Sequence, residues 1–285
     1  MQEILDRLFQ LTPDLPPKLR QAAKLILDDP AQVALKSMRN LAKSAGVAPP
    51  TMMRLAKQLG FENWDDFRFV FQQSFTHKNY HDRATGLTAL AKTQGQNVLF
   101  ETLALSAHEN VRRFFDSVIA EDLNLAADII LSAPQTYVIG AGSAHWMSAY
   151  MQYVSSIATP NMRAPRANGN DLVEGLIRIT DQDCMIVITT YPYAKKPLEA
   201  AQFAKNKGAR LICITDSRAS PVAAIADVLI LCASDYPQFF PSMVGVMSAI
   251  ETLISLIVSR GGDDIIAAIA EQVALRDRIG VYIPG

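Results

Sequence analysis

The sequence predicts an all-α N-terminal helix-turn-helix domain followed by an α/β domain whose central parallel sheet is flanked by helices. Three observations carry that expectation. Residues Leu41 to Leu59 hold two short helical patterns joined by a glycine-containing turn, and the first eighty residues show only helical spacing. Beyond Asp122, all-apolar runs alternate with helical stretches. Such runs indicate strands covered on both faces, as parallel sheets require.

In chain order, a first helix is expected near Gln2–Gln10. A second is expected over Pro16–Asp28, where Leu19, Ala22, Ala23, Ile26 and Leu27 recur at helical spacing. Asp28, Asp29 and Pro30 break it, and a short helix around Pro30–Leu35 follows. Ser37 is placed to cap the next helix. That helix turns Leu41, Ala42 and Ala45 inward, Gly46 supplies the positive φ of a tight turn, and Val47 fills the angle. The following helix starts at Pro49 or Pro50, where a missing N–H costs nothing. It buries Met52, Leu55, Ala56 and Leu59 and leaves Thr51, Arg54 and Lys57 on its open side. Asn63 caps a last helix whose Trp64, Phe67 and Val70 or Phe71 close the small core.

A helix-turn-helix of this spacing serves above all to read duplex DNA; an ordinary helical hairpin is the alternative. Up to Tyr80 there are eleven basic residues against eight acidic ones, a modest excess suited to phosphate contact. On the DNA reading, Thr51, Met52 and Arg54 face base edges, Pro50 sits at the entry to the reading helix, and Lys43 and Lys57 engage phosphates.

From His77 to Gln96 the chain is polar and reads as a partly helical linker. Asn97–Ile119 is strongly helix-like and could be a spacer or a dimer-forming helix. Four apolar strand runs follow: Thr136–Gly140, Cys184–Thr189, Arg210–Thr215 and Val228–Cys232. Helical stretches lie at Ser143–Ser156, Lys195–Lys207 and Pro221–Ala226, with closing helices over Met243–Arg260 and Asp263–Arg276. The expected domains are 1–78, a linker and spacer over 79–120, and 121–285.

At 285 residues with 49% apolar content, the chain can build about two domains with substantial cores. A net charge of −1 argues against a general polyanion binder. The three cysteines fall inside apolar runs, none in a Cys-x-x-Cys pair, and read as small core residues. No secretory leader is recognisable and no apolar run is long enough to span a bilayer, so a cytoplasmic location and no membrane contact are expected. No cofactor and no metal site are expected.

In a parallel sheet, ligands bind beyond the carboxyl ends of the strands. Gly140, Ala141, Gly142 and Ser143 follow the first strand run and open a helix, an arrangement that favours anions. The third glycine of a dinucleotide fingerprint is missing. After Cys184–Thr189 come Thr190, Tyr191, Pro192, Tyr193, Ala194 and Lys195. Tyr191 and Tyr193 offer flat faces and hydroxyls, His145 can donate or accept, and Lys195 brings a cation. That set suits a carboxylate, or an aromatic or acylated metabolite, about as well as a phosphate. The candidate ligand residues are therefore Gly140, Gly142, Ser143, His145, Thr189, Thr190, Tyr191, Tyr193 and Lys195. Solvated-loop roles for Tyr193 and Lys195, and a packing role for His145, are the plainer alternatives.

Weaker features complete the inventory. Lys196 reads as surface, and Ser242 as a residue that could reach the pocket. His77 and His81 have metal-like spacing but no third ligand. Arg112 and Arg113 read as an exposed face. Asp171 and Glu174 sit one helical turn apart and could move protons, the basis of an enzyme reading.

Ala204, Lys205, Gly208 and Ala209, then Ile214, Thr215 and Asp216, then Ser220, Pro221, Ala226 and Asp227 form strings that resemble the sugar isomerase (SIS) domain. Together with Asn40–Phe61, which is similar to the family's helix-turn-helix, they make nearly the whole chain resemble the RpiR/MurR family of bacterial transcriptional regulators. The resemblance implies a homodimer or homotetramer that binds double-stranded operator DNA and whose SIS domain senses a small-molecule effector, usually a phosphorylated sugar. The family's pocket pattern Ser-x-Ser-Gly-x-Thr falls on Thr189 to Ala194, so Tyr191 replaces the second serine and Ala194 the threonine. Ala144 stands where the first loop usually has serine, and Pro49 and Pro50 replace a Ser-led entry to the reading helix. The effector is accordingly expected to be a small anionic metabolite, a sugar phosphate or an unphosphorylated acid. The alternative is a SIS-domain isomerase-type enzyme with an accessory helical domain.

Overall fold

The computed structural model describes residues 2–76, 80–159, 161–165, 174–234 and 238–283. The chain divides into two compact units, the first running to Leu103 and taking in a short later stretch that ends at Phe240, the second made of the remainder from Ala104. Each is considered by itself.

The first unit is helical: α1 Gln2–Leu11, α2 Pro17–Asp28, α3 Ala31–Leu35, α4 Met38–Ser44, α5 Pro49–Gln58, α6 Trp64–Thr76 and α7 Tyr80–Gln94, with the start of α8 Gln96–Ser117. Leu19, Ala22, Ala23 and Ile26 bury one face of α2, as their spacing requires. They meet Leu41, Met52 and Leu55 in a common core. Asn63 Oδ1 accepts the Asp66 N–H at 2.8 Å while Asn63 Nδ2 reaches Asp66 Oδ2 at 2.7 Å, a reciprocal cap on α6. Beyond that cap, the Phe67 ring packs against Trp64 at 5.1 Å and Phe71 at 4.9 Å. The buried Arg68 donates to Val33 O at 3.2 Å and Ala34 O at 2.9 Å, satisfying the carbonyl end of α3.

The polar stretch expected as a linker is helical from Tyr80 to Gln94. Thr85, Thr88 and Thr93 hydroxyls donate to carbonyls four residues back, so these polar side chains are satisfied within the helix. The division between the two units falls inside α8, within the span expected as spacer. His77 lies outside the described residues.

The second unit adds α9 Ala120–Ser132, β1 Thr136–Gly140, α10 Ser143–Ala158, β2 Met162–Arg163, β3 Cys184–Thr189, α11 Lys195–Asn206, β4 Arg210–Thr215, β5 Val228–Leu231, α12 Val244–Arg260 and α13 Gly262–Ile279. The five strands are parallel in the order β2-β1-β3-β4-β5. Alternate residues cover the two faces. Val138, Ile186, Ile188, Ile212 and Ile214 pack on one side with residues of α9, α10 and α12. Ile139, Met185, Val187, Leu211 and Cys213 pack on the other with Ala200, Ala201 and Ala204 of α11. Burial on both faces is why these strands read as unbroken apolar runs.

Two expectations need correction here. The segment Pro221–Ala226 forms a 3-10 turn over Ala223–Ile225 rather than a helix, because the Asp227 N–H is drawn to Leu211 O at 2.8 Å to begin β5. The helix α9 is additional to the expected elements; Leu123, Ala126, Ala127 and Ile130 form its buried face. No helix among the described residues is long and apolar enough to cross a membrane.

Candidate DNA-reading and effector sites

The helix-turn-helix is fixed at both ends of its first helix. Ser37 Oγ accepts the Asn40 N–H at 3.2 Å, the cap its position implies. At the other end Gly46 takes φ +63°, its N–H donates to Lys43 O at 3.1 Å, and the Val47 N–H donates to Ala42 O at 3.0 Å. This pair of bonds is a Schellman motif, which terminates α4 and sets the entry into α5. The same two bonds close α5, from Gly60 to Lys57 O and from Phe61 to Ala56 O.

The turn aims α5 so that Pro50, Arg54 and Lys57 are exposed and Thr51 is half-buried at the rim, with Lys43 exposed on α4. Met52 is not on this face. It is fully buried between α2 and α5, so the expectation that it meets base edges is incorrect. The reason is helical geometry: Met52 lies on the stripe of Leu55 and Leu59, and a side chain filling the core has no reach to a groove.

The candidate effector residues lie at or just beyond the carboxyl ends of β1 and β3. Gly140 ends β1 beside Ile188, so the turn after β1 emerges next to the loop after β3. A Cβ at Gly140 would lie 2.3 Å from Ala144 O, so only glycine permits α10 to start this close to its strand. Gly142 precedes the first turn of α10, and Ser143 and His145 are exposed there, the His145 ring 5.3 Å from Trp146. Thr189 and Thr190 are buried at the end of β3. Tyr191 and Tyr193 meet edge to face at 5.7 Å. Lys195 Nζ pairs with Glu199 at 3.1 Å along the exposed side of α11, which makes it a surface ion pair. Ser242 is buried, and its hydroxyl oxygen accepts the Val244 N–H at 3.5 Å just before α12.

The centre of this edge is a residue outside the predicted set. Asp216, directly after β4, accepts the Tyr191 N–H at 3.0 Å, the Tyr193 hydroxyl at 3.1 Å and the Ser234 hydroxyl at 3.3 Å. Burial pushes its carboxyl above the ordinary value, opposed by the bonds from Tyr191, Tyr193 and Ser234. Tyr193 is likewise pushed up, by burial first and then by the neighbouring carboxylate. Two signals could have singled out Asp216: its position at a strand's carboxyl end and its place in the Ile214–Asp216 string that resembles SIS domains.

Among the weaker features, Arg112 is exposed and paired with Glu109 and Asp116. Asp171 lies outside the described residues, so the Asp171–Glu174 pair has no described geometry. Among the described residues no cluster of His, Cys, Asp and Glu could hold a metal ion.

Comparison with known proteins agrees with both halves. Residues 2–78 match the helix-turn-helix domain of the rpiR family, and residues 129–258 match the SIS domain. An HTH-type transcriptional regulator of Clostridium perfringens is 23% identical over 205 residues, 71% of each chain. The bifunctional protein Glk of Burkholderia mallei is 24% identical over 89% of this chain, which spans only 38% of that relative. The structure of the Vibrio vulnificus NanR protein complexed with ManNAc-6P has the same fold, with a TM-score of 0.58 at 17% identity over 97% of this chain and 98% of that one. With an rpiR-type helix-turn-helix ahead of a SIS domain, the chain belongs to the RpiR family of HTH-type transcriptional regulators.

Proposed function

We propose that the chain binds double-stranded operator DNA through α5 as a homodimer or homotetramer in the cytoplasm, and that its SIS domain senses a small anionic metabolite. Thr51 and Arg54 contact base edges, with Pro50 packed at the entry of the groove, while Lys43 and Lys57 hold phosphates and set the register. The carrying observation is the α4–α5 turn, which buries Met52, Leu55 and Leu59 and turns Arg54 and Lys57 outward. Effector contact comes from Gly140, Gly142, Ser143 and His145 on one side of the sheet edge and from Thr189, Thr190, Tyr191 and Tyr193 on the other, with Lys195 at the rim. Effector binding shifts the balance between two arrangements of the paired DNA heads.

Fluorescence anisotropy on duplex selected from random sequence tests the DNA half. The expected result is a selected consensus bound with a steep inverse dependence on salt. Failure to enrich any sequence would remove the operator reading. For the sensing half, thermal unfolding is measured against phosphorylated sugars and unphosphorylated acids. A ligand at a hundred times its dissociation constant adds about 2.7 kcal/mol.

A further inference from the structure

A cavity of about 330 Å³ lies at the amino edge of the sheet, away from the candidate effector loops. Asn161, one residue before β2, lines it, and the Asn161 carbonyl accepts the Thr136 N–H at 2.8 Å where β1 begins. Its inner walls are the buried side chains of Ile130, Ala158, Ile257 and Ile265, with Ala268 half-buried at the rim. Such walls take carbon, not charge.

The surroundings of the mouth are negative. Three helices end there: Ile130 is in the last turn of α9, Ala158 closes α10 and Ile257 is in the last turn of α12. The carboxyl end of a helix leaves carbonyl oxygens without intrahelical donors and carries roughly half a negative charge. Asn161 Nδ2 satisfies part of α9, reaching Ala133 O at 2.8 Å and Ile130 O at 3.4 Å. One helix, α13, starts at the same place, and Asp263 and Asp264 in its first turn offset its positive end. Asp264 lines the cavity from an exposed position, so its carboxylate stands at the mouth. Arg260, the basic residue that ends α12, is engaged instead by Asp128 at 2.5 Å and Asn124 at 3.3 Å.

We propose that this cavity binds a small aliphatic amine, with its carbon body between α9, α10, α12 and α13 and its ammonium at the mouth against Asp264 and the helix ends. Apolar walls with a few placed polar groups are the usual make-up of a small-molecule site. A lysine side chain of another protein is excluded by direction, because it would enter with its charged end first. The proposal goes beyond the DNA and effector readings and depends on neither.

The test is calorimetric titration of the full-length protein at neutral pH and constant ionic strength with hexylammonium, hexanol, hexanoate and N-acetyl-lysinamide. Wild type is expected to bind hexylammonium about tenfold more tightly than hexanoate or the lysine derivative, with hexanol in between. Asp264→Asn, an exposed change, is expected to bring hexylammonium down to the affinity of hexanol and to leave hexanol unchanged. Ala268→Phe fills the rim and is expected to abolish saturable binding of all four; should circular dichroism show it unfolded, Ala268→Leu is expected to weaken them together. Hexanoate or the lysine derivative bound as tightly as hexylammonium, an Asp264→Asn protein that still prefers the amine, binding unmoved by the folded Ala268 variant, or no saturable binding of hexylammonium to wild type overturns the proposal.

Discussion

Lys205 Nζ lies 2.6 Å from Asp227 Oδ1, joining the end of α11 to the start of β5. The other oxygen of Asp227 accepts the Leu211 N–H at 2.8 Å, and Arg210 approaches it at 3.8 Å. Lys205 and Asp227 belong to two of the strings through which the sequence resembles SIS domains, and their contact explains both. They tie the end of a helix to the start of an edge strand, and none of these contacts is with a candidate effector residue. Asp227→Ala is therefore expected to destabilise the protein by about 1–2 kcal/mol, the value of a partly exposed ion pair plus an orphaned N–H. Denaturant unfolding measures it, with effector and DNA affinity unchanged.

The same contact has a pH signature. Burial alone would raise the Asp227 carboxyl, but the Lys205 bond, the Leu211 N–H and the charges of Lys205 and Arg210 hold it below the ordinary value. A depressed folded-state value gives stability that is present above the unfolded value of about 3.9 and lost as pH falls through the folded one. The melting-temperature gap between wild type and Asp227→Asn should thus be full at neutral pH and close in acid.

Arg54 and Met52 lie two residues apart on α5 and should fail differently. Arg54→Ala is expected to cost about 1–3 kcal/mol at the selected operator while leaving unfolding unchanged. Met52→Ala removes a fully buried side chain and should cost about 2–5 kcal/mol of stability. At temperatures where it stays folded, its sequence preference should match wild type. A changed base preference in Met52→Ala would return that residue to the reading surface.

Gly46→Ala places a Cβ at φ +63° and 3.1 Å from Gln21 Nε2. The left-handed conformation costs roughly 1–2 kcal/mol for an alanine. Because this turn sets the angle between α4 and α5, operator affinity should fall along with stability, and both can be read on one preparation.

Cys184, Cys213 and Cys232 are buried. Burial pushes the first two thiols up to about 12, and Cys232 up as well. The thiolate is the reactive form. Native protein should stay unreactive toward a disulfide reagent at pH 8, while three thiols should titrate once it is unfolded.

Much of this architecture is legible in the residues because it is local. The Ser37 cap, the Gly46 turn, the Asn63 cap and the apolar runs of β1, β3 and β4 each depend on a few neighbouring residues. The helix α9 is less legible because its short apolar face runs almost directly into the apolar β1. The placement of Met52 was open to error only where base reading was added to a position whose spacing already put it in the core.

The sequence by itself determined the two-domain order, the helix-turn-helix, the parallel α/β sheet and the loops in which a ligand site should lie, since periodicity, caps and turn residues act over one or two turns of chain. Tertiary structure alone decided which donors in those loops are already engaged. Tyr191, Tyr193 and Ser234 converge on Asp216 from positions 18 to 25 residues away. Only the parallel pairing of β3, β4 and β5 brings such distant loops to one edge of the sheet.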